Sequence, residues 1–416
     1  MISFKTLITY RRLAKNQWLS RDQIKATQQH KLRRLIRHAY NTVPYYRTLF
    51  NRTGLVPNDI TSVNDLTKIP ITHKADLQGL TPQSFTSRAY RVQDLKVERT
   101  SGSTGQPFNV YFDPAFVVVR NLLFLRALTA SGYRLGKRIL LVTDLKNKGP
   151  SGPLPGWHYT SILNSPTQLR DDLDRVKPDF LYGCKTPLRL LAEYLHESGQ
   201  SVHKPDKIIT TGEGMDLTTA RLIEDTFNAE LFDVYGLTEM GIVGWECSVH
   251  NGYHMAEDTT IVEYLPVAEV EGVHRLVMTN LDLFAMPFIR FETGDLASPS
   301  EENACPCGRQ FAKFERVQGR SVDIIQLRNG LKMTPYRLTC AMEEVMGLDQ
   351  YQIIQTDLHR FTVKIHAQRY GGRRCEESIQ SVMASVLGRN IDITIEQMDK
   401  DLFESGRKFS VVTSKI

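Results

Sequence analysis

The sequence predicts an α/β protein in two parts. A large N-terminal domain of parallel-rich sheet covered by helices, joined to a small antiparallel unit, precedes a smaller, mobile α+β C-terminal domain. Three observations carry this. Between about residues 139 and 237, short apolar runs alternate with amphipathic ones, the pattern of strands and crossover helices. After residue 250 strand-like runs dominate. After residue 319 a separate turn, strand and helix pattern of about a hundred residues begins, near the commonest domain size. At 416 residues the chain is too long for one compact core.

The elements follow in order. Residues 1 to about 90 read as helical and loop-rich, with KLRRLIRHAY at amphipathic spacing before the turn NTVPYY. DLKVER is a strand, RTSGSTGQP at 99–107 a loop, and PAFVVVRNLLFLRALTASG a helix that stops at Gly132. RILLVTD is a buried strand, followed by the turn-rich KNKGPSGPLPG, which we read as a mobile loop. DFLYG, DKIITTG and ELFDVYG are strands, with PLRLLAEYLHESG and LTTARLIEDTF as the helices between them. TTIVEYL and HRLVMTNL belong to the antiparallel unit. Beyond GRSVDIIQLRNGLKMTP come the helix YRLTCAMEEVMG, strands YQIIQTD and FTVKIHAQ, a further helix and strand IDITIEQ. The boundary falls at 319–323, dividing a domain 1–318, with its strand-rich subregion at about 250–318, from a domain 319–416.

Composition narrows the function classes. Apolar content is ordinary, Pro and Gly are not in excess, and no repeat or low-complexity tract is present. The formal charge of +6 reads as mild and spread along the chain, with HKLRRLIRH and GGRR as solvated faces. No nucleic-acid motif accompanies them, and a mild positive balance suits anionic nucleotide substrates. The start lacks a signal peptide's apolar core, and Arg120 and Arg126 interrupt the most apolar run, so no membrane span is expected. We therefore expect a cytoplasmic protein with reduced thiols, its six cysteines candidates for metal or catalysis. Cys184, Cys340 and Cys375 are isolated and read as small buried hydrophobes.

The 99–107 loop is either a flexible surface turn or a phosphate cradle. Gly102 and Gly105 let the backbone approach an anion, while Ser101, Ser103 and Thr104 supply donors. It is not a Walker loop, since no Gly-Lys-Ser/Thr follows. Three further stretches weigh for the cradle. TTGEGM leads to VYGLTEMG, where Glu239 after Thr238 offers a carboxylate and a hydroxyl for Mg²⁺ and a phosphate oxygen. MPFIRFETGDLA places Asp295 as an acceptor for ribose hydroxyls, and GRSVDIIQLRNG places Arg320 at the domain junction, with Asp323 after it.

This order of motifs resembles the adenylate-forming superfamily of acyl-CoA synthetases and adenylation domains. LIRHAYNTVPYYRTLF, DLTKIPITHKADL, PDFLYGCKTPLRLLAEYL and MPFIRFETGD are similar to its phenylacetate-CoA ligase and capsule-associated branch. The resemblance, which covers nearly the whole chain, implies a two-step reaction. A carboxylic acid and ATP give an acyl-adenylate and pyrophosphate, and a thiol, usually CoA, then displaces AMP. It implies that Ser101 to Gly105 hold the β- and γ-phosphates. Gly212, Glu213 and Gly214 would line the adenine, with Tyr235 and Gly236 against it. Thr238 would meet the α-phosphate, Glu239 the Mg²⁺, and Asp295 the ribose, with Arg320 on the ribose or phosphate. A C-terminal lysine serves the α-phosphate in this family. Here the ending reads Gly406-Arg407-Lys408, so Lys408 is the choice while Arg407 fills the aligned slot and Lys415 is close. Val322 stands where the family has an acidic hinge residue, which implies either that the domain rotation pivots differently or that Asp323 takes over.

CPCGR and ECSVHNGYH offer a second constellation. Cys247, Cys305 and Cys307 with His250 or His254 would make a Cys₃His structural zinc site, the alternative being a reduced turn with surface histidines. Relatives with a Cys-x-Cys-Gly turn carry a Gly-x-His after the first cysteine, which favours His254. For the acyl pocket the branch points to Tyr182, Gly183 and Cys184, with Gly241 and Trp245. Tyr182 and Trp245 could flank an aryl acid or simply pack the core. The leading expectation is thus an AMP-forming acid–CoA ligase. The alternatives are an adenylating enzyme that serves a carrier protein, amine or hydroxyl, and an inactive nucleotide-binding scaffold. A homodimer is left open.

Overall fold

The computed structural model describes residues 4–99, 108–144, 152, 154–268, 270–302, 304–320, 323–328, 330, 332–342, 345, 350–366, 373–388, 390–398 and 411–416. The 100–107 loop, most of the loop after Asp144, Val322, Arg407 and Lys408 lie outside the described residues.

Helices α1 (Phe4–Asn16), α2 (Arg21–Thr42) and α3 (Pro44–Thr53) open the chain. Ser20 and Gln23 form a capping box on α2, and Pro44 sits in the first turn of α3, where no N–H is needed. The inward face of α2, with Leu32, Leu35 and Ile36, packs on Tyr46 and Phe50 and on Ile261 and Leu281 of the distant sheet. Short helices α4 (Lys74–Leu77) and α5 (Pro82–Phe85) follow. A hairpin of β1 (Lys96–Arg99) and β2 (Asn109–Phe112) then pairs Arg99 with Asn109 at the base of the Gly/Ser loop. Asp113 caps α6 (Pro114–Ala130) by accepting the Phe116 N–H.

The parallel half of the sheet comprises β3 (Ile139–Thr143), β4 (Trp157–Ser161), β5 (Phe180–Cys184), β6 (Lys207–Thr211) and β7 (Glu230–Leu237). Helices α7 (Pro166–Val176), α8 (Lys185–Ser198) and α9 (Leu217–Phe227) cross over between them. Leu140, Leu181 and Ile208 face these helices, while Leu141, Phe180 and Ile209 face the side of α6. Burial on both faces is why these strands read as unbroken apolar runs.

The antiparallel strands are β8 (Gly241–Trp245), β9 (Tyr253–Met255), β10 (Thr260–Pro266), β11 (His274–Asn280), β12 (Phe291–Pro299) and β13 (Lys313–Arg320). They are the antiparallel unit expected from sequence, and they continue the parallel half without a break. One sheet of eleven strands runs β10-β11-β12-β13-β9-β8-β7-β6-β5-β3-β4. The join lies within β7, whose first half pairs parallel with β6 and whose second half turns back as a hairpin onto β8. Periodicity reports which strands exist but not which edges meet.

Past Arg320 a second core begins. The ribbon β14 (Ile325–Gln326) and β15 (Lys332–Met333), then α10 (Pro335–Met342), lead to β16 (Gln350–Asp357) and β17 (Arg360–His366). Helix α11 (Arg373–Leu387), β18 (Asp392–Gln397) and β19 (Val412–Ser414) complete a sheet ordered β18-β17-β16-β19. Ile325, Leu338, Ile353, Phe361 and Ile379 fill this core. The chain leaves the large sheet at Gly319, whose φ of +100° a side chain rarely adopts and where an added Cβ would stand 3.1 Å from Pro335.

A buried ion pair ties α1 and α6 to the antiparallel strands. Arg126 Nη1 donates to both Asp258 oxygens at 3.0 Å and to the Leu13 carbonyl at 3.2 Å, and Asn16 Nδ2 donates to Asp258 at 2.9 Å. The remaining guanidinium nitrogens have no hydrogen-bond partner among the described residues, and the group lies 4.6 Å over Trp245 and 5.3 Å over Phe311. Removing one member of such a pair strands a charge in the core. Asp258→Ala is expected to destabilise the large domain by about 3–5 kcal/mol, read from the shift of its denaturant midpoint.

Candidate active site and cysteine cluster

The turn from β7 into β8 presents Thr238 and Glu239. It is tight because Gly236 has no side chain: a Cβ there would lie 2.9 Å from the Gly241 carbonyl oxygen. Two strands further along the sheet than β9, β12 sets Asp295 directly opposite Arg320 of β13. Tyr235 joins them, its hydroxyl donating to Asp295 Oδ2 at 2.7 Å, while Arg320 Nε lies 3.7 Å from Oδ1. Burial and the Asp295 charge push the Tyr235 phenol well above its ordinary range, so it remains a donor. Its ring meets Phe314 edge-on, and Phe314 stacks on Tyr253 at 5.0 Å and 8°. Gly244 makes room for Phe314, since a Cβ there would come within 2.6 Å of the ring.

Glu239 is 8% exposed, and burial raises its pKa. Lys74 and Arg320 act against that rise and Asp295 adds to it, so two carboxylates and two cations share one electrostatic neighbourhood. Lys74 is the residue sequence reasoning missed. It lies within the quoted DLTKIPITHKADL, where a lysine opening a short helix reads as surface. The structure brings it in by clipping the chain to the sheet: Thr72 N–H donates to the Arg290 carbonyl at 2.8 Å, and the Glu292 N–H to Thr72 at 3.0 Å. Burial lowers the Lys74 pKa, and Glu239 opposes the shift.

Gly212 leaves β6 with φ +79°. Glu213 spends its carboxylate on the first turn of α8, accepting the Thr186 N–H at 2.9 Å and hydroxyl at 2.6 Å, while Gly214 has open space beside it. Cys184 closes β5, and its Sγ would stand 3.4 Å from a Cβ on Gly212. Gly183 is confined by Val142, and Tyr182 packs edge-on to Phe124 at 4.9 Å. Gly241 covers Arg120, whose guanidinium pairs with Glu98 at 2.5 Å. Trp245 departs from the expectation of an open aryl wall. It is fully buried between Arg126 and Phe311 and presents no surface to a ligand.

The four expected zinc ligands converge. The ligand atoms of Cys247, His254, Cys305 and Cys307 lie within 4.8 Å of one another. Cys247 Sγ is 3.7 Å from Cys305 Sγ, and Cys307 Sγ is 3.3 Å from His254 Nε2. Strand β9 fixes His254 between Trp245 and Lys313. His250 is excluded from the cluster. It pairs with Glu230 at 2.8 Å and faces Glu246 at 3.8 Å, carboxylates that push its pKa up to about 9. Burial and Arg309 push His254 down to about 4, leaving a neutral imidazole at ordinary pH. Burial pushes the Cys247 thiol up to about 12. Cys307 is held below the ordinary thiol range because hydrogen bonds from Arg309 outweigh its burial.

The large mixed sheet followed by a small α+β unit is the fold of solved CoA ligases. A 2-hydroxyisobutyryl-CoA ligase in the postadenylation state superposes with a TM-score of 0.80 at 18% identity, covering 96% of this chain and 91% of that one. The same ligase in the thioesterification state gives 0.65 at 17% identity, covering 96% and 91%. In sequence, the phenylacetate-coenzyme A ligase of Thermus thermophilus is 27% identical over 363 residues, 81% of this chain and 79% of the relative. No family model matches. The chain is thus similar in sequence to phenylacetate-coenzyme A ligases and shares its fold with a solved CoA ligase.

Beneath Tyr253, Asp233 accepts hydrogen bonds from Thr210 and Tyr253, each at 2.7 Å, and burial raises its pKa to about 6. A carboxyl that holds its proton more tightly when folded stabilises at low pH and loses that contribution as pH rises through 6. Relative to Asp233→Asn, the native protein is therefore expected to lose stability between about pH 4 and pH 7, by up to about 3 kcal/mol. Denaturant midpoints of both proteins across that range check this.

Proposed function

We propose that this protein is an AMP-forming acid–CoA ligase, most compatible with an aryl acid. The observation that carries the reading is the convergence of Tyr235, Asp295 and Arg320 with buried Glu239 at the end of β7. In this reading Asp295 accepts the ribose hydroxyls of ATP. Its other duties are already arranged, since Tyr235 and Arg320 fix both of its oxygens. Gly212 and Gly214 give the adenine a side-chain-free edge, and the Glu213 carboxylate anchors that edge to α8. Thr238 and Lys74 face the phosphates. Ser101, Gly102, Ser103, Thr104 and Gly105 hold the departing pyrophosphate, and Lys408 of the small domain serves the α-phosphate. The acid lies beside Tyr182, Gly183, Cys184 and Gly241.

The acid's carboxylate oxygen attacks the α-phosphorus, and the bond to the bridging oxygen of pyrophosphate breaks. CoA sulfur then attacks the acyl carbon and AMP leaves. Oriented donors and cations lower the barrier to the first step by holding negative oxygens in line. Mg²⁺ fits Glu239, a carboxylate buried among cations and a second acid, and when bound would neutralise phosphate oxygens.

Zn²⁺ fits the Cys247, His254, Cys305 and Cys307 set, three sulfurs and one neutral imidazole in the number a closed structural site takes. It would brace the turns around β9, away from the reacting atoms. Because the Cys247 thiol keeps its proton without metal, zinc binding is expected to release protons into a weakly buffered dye solution near pH 7. Metal analysis should find one zinc per chain, and Cys305→Ser together with Cys307→Ser should abolish it and lower the melting temperature.

The reading is tested by pyrophosphate release across a panel of carboxylic acids with ATP and Mg²⁺, with and without CoA. Release with one acid class and turnover that requires CoA supports it. Release without CoA consumption would move the acceptor to a carrier or amine, and silence with ATP still bound would leave a scaffold. Asp295→Ala is expected to raise KM for ATP roughly tenfold to a hundredfold, about 1.5–3 kcal/mol of charge-assisted hydrogen bonding. Glu239→Gln is expected to cut kcat by roughly 10²- to 10³-fold.

A further inference from the structure

The charge of this chain is concentrated at one end rather than evenly spread. Residues 1–53 contain twelve Lys and Arg and a single acid, Asp22, whereas all 416 residues together come to only +6. The remainder of the protein is therefore net acidic, and helices α1 to α3 form a basic pole.

Helix α1 packs inward through Leu13 and through Asn16, which is bound to Asp258. Its outer face carries Phe4, 78% exposed, Leu7, 40%, and Ile8, 51%, a row at i, i+3 and i+4. Trp18, 50% exposed, follows the helix, with the Arg309 guanidinium 5.0 Å over its ring. Arg11, Arg12 and Lys15 share this outward side, and none has an ion-pair partner among the described residues. On α2, exposed Arg33, Arg34 and Arg37 line an open groove of about 680 Å³ together with His30 and His38.

Protruding apolar side chains beside unpaired cations are what an in-plane interfacial helix presents to lipid. Cations meet headgroup phosphates while Phe, Leu, Ile and Trp enter the acyl boundary. A second copy of the chain is disfavoured because pairing α1 with itself would bring like charges together. Nucleic acid would satisfy the cations and leave the aliphatic row in water. With 13 residues α1 is too short to cross a bilayer, and no described helix is long and apolar enough to do so.

We propose that α1 and the outer row of α2 seat this protein on an anionic lipid surface, as a peripheral contact independent of the ligase reading. The test is co-sedimentation of the full chain with phosphatidylcholine vesicles containing phosphatidylglycerol, against phosphatidylcholine alone. Binding should be at least roughly tenfold tighter to the anionic vesicles and weaken as salt is raised. Trp157 and Trp245 are buried, so a blue shift of Trp18 emission should accompany binding. Phe4→Ser with Ile8→Ser, and separately Arg11→Glu with Arg12→Glu, should each lower vesicle affinity by roughly tenfold or more. Their circular dichroism and melting should match the parent, and Leu7→Ser is the milder variant should either misfold. Failure to sediment with anionic vesicles would overturn the proposal. So would serine variants that bind like the parent, or capture by an acidic protein but not by vesicles.

Discussion

The double pairing of β7 is the constraint on which the rest of the molecule depends. Its first half is the edge of a parallel sheet, and its second half is one arm of a hairpin. The reversal requires the backbone at Gly236 to pass within contact of Gly241, which any side chain would block. Two consequences follow. The end of a parallel strand becomes a turn that holds half-buried Thr238 and buried Glu239. The sheet also continues past that turn, so β12 and β13 come round with Asp295 and Arg320 attached. One strand thus positions both halves of a site drawn from residues far apart in sequence.

The chemistry of the site follows from desolvation. Glu239 and Asp295 are both nearly buried, and burying two carboxylates near each other is costly unless cations compensate. Arg320 and Lys74 supply that compensation within the protein, and a phosphate-bound cation would extend it. Lys74 arrives from an N-terminal segment pinned against β12, and Arg320 sits where the chain passes to the small domain. The arrangement therefore couples the charge balance of the pocket to segments that are not part of the parallel core.

Support beneath the site is equally connected. Asp233, Tyr253, Phe314 and Tyr235 form a continuous stack of hydrogen bonds and ring contacts from β6 to the Asp295 carboxylate. The residue after Tyr253 is His254, so the cysteine cluster braces the same strand from its other face. Arg126 holds α6 and α1 against this assembly through Asp258, and thereby fixes the direction in which the outer face of α1 points.

Local pattern alone determined much of this protein. Apolar runs bounded by turns gave the strands at Ile139, Phe180, Lys207 and Glu230, and capping residues such as Asp113 and Ser20 fixed helix starts, because these signals act within a few residues. Motif order likewise singled out Glu239, Asp295 and Arg320, which the fold brings into one neighbourhood, and Cys247, Cys305 and Cys307, which it brings together with His254. Tertiary structure decided what depends on edges and depth. It joined the antiparallel strands to the parallel sheet, set His254 rather than His250 beside the three cysteines by register on β9, and brought Lys74 into the neighbourhood of Glu239. It also sank Trp245 into the core beneath Arg126. Each of these rests on contacts between segments hundreds of residues apart, and no local pattern encodes such a contact.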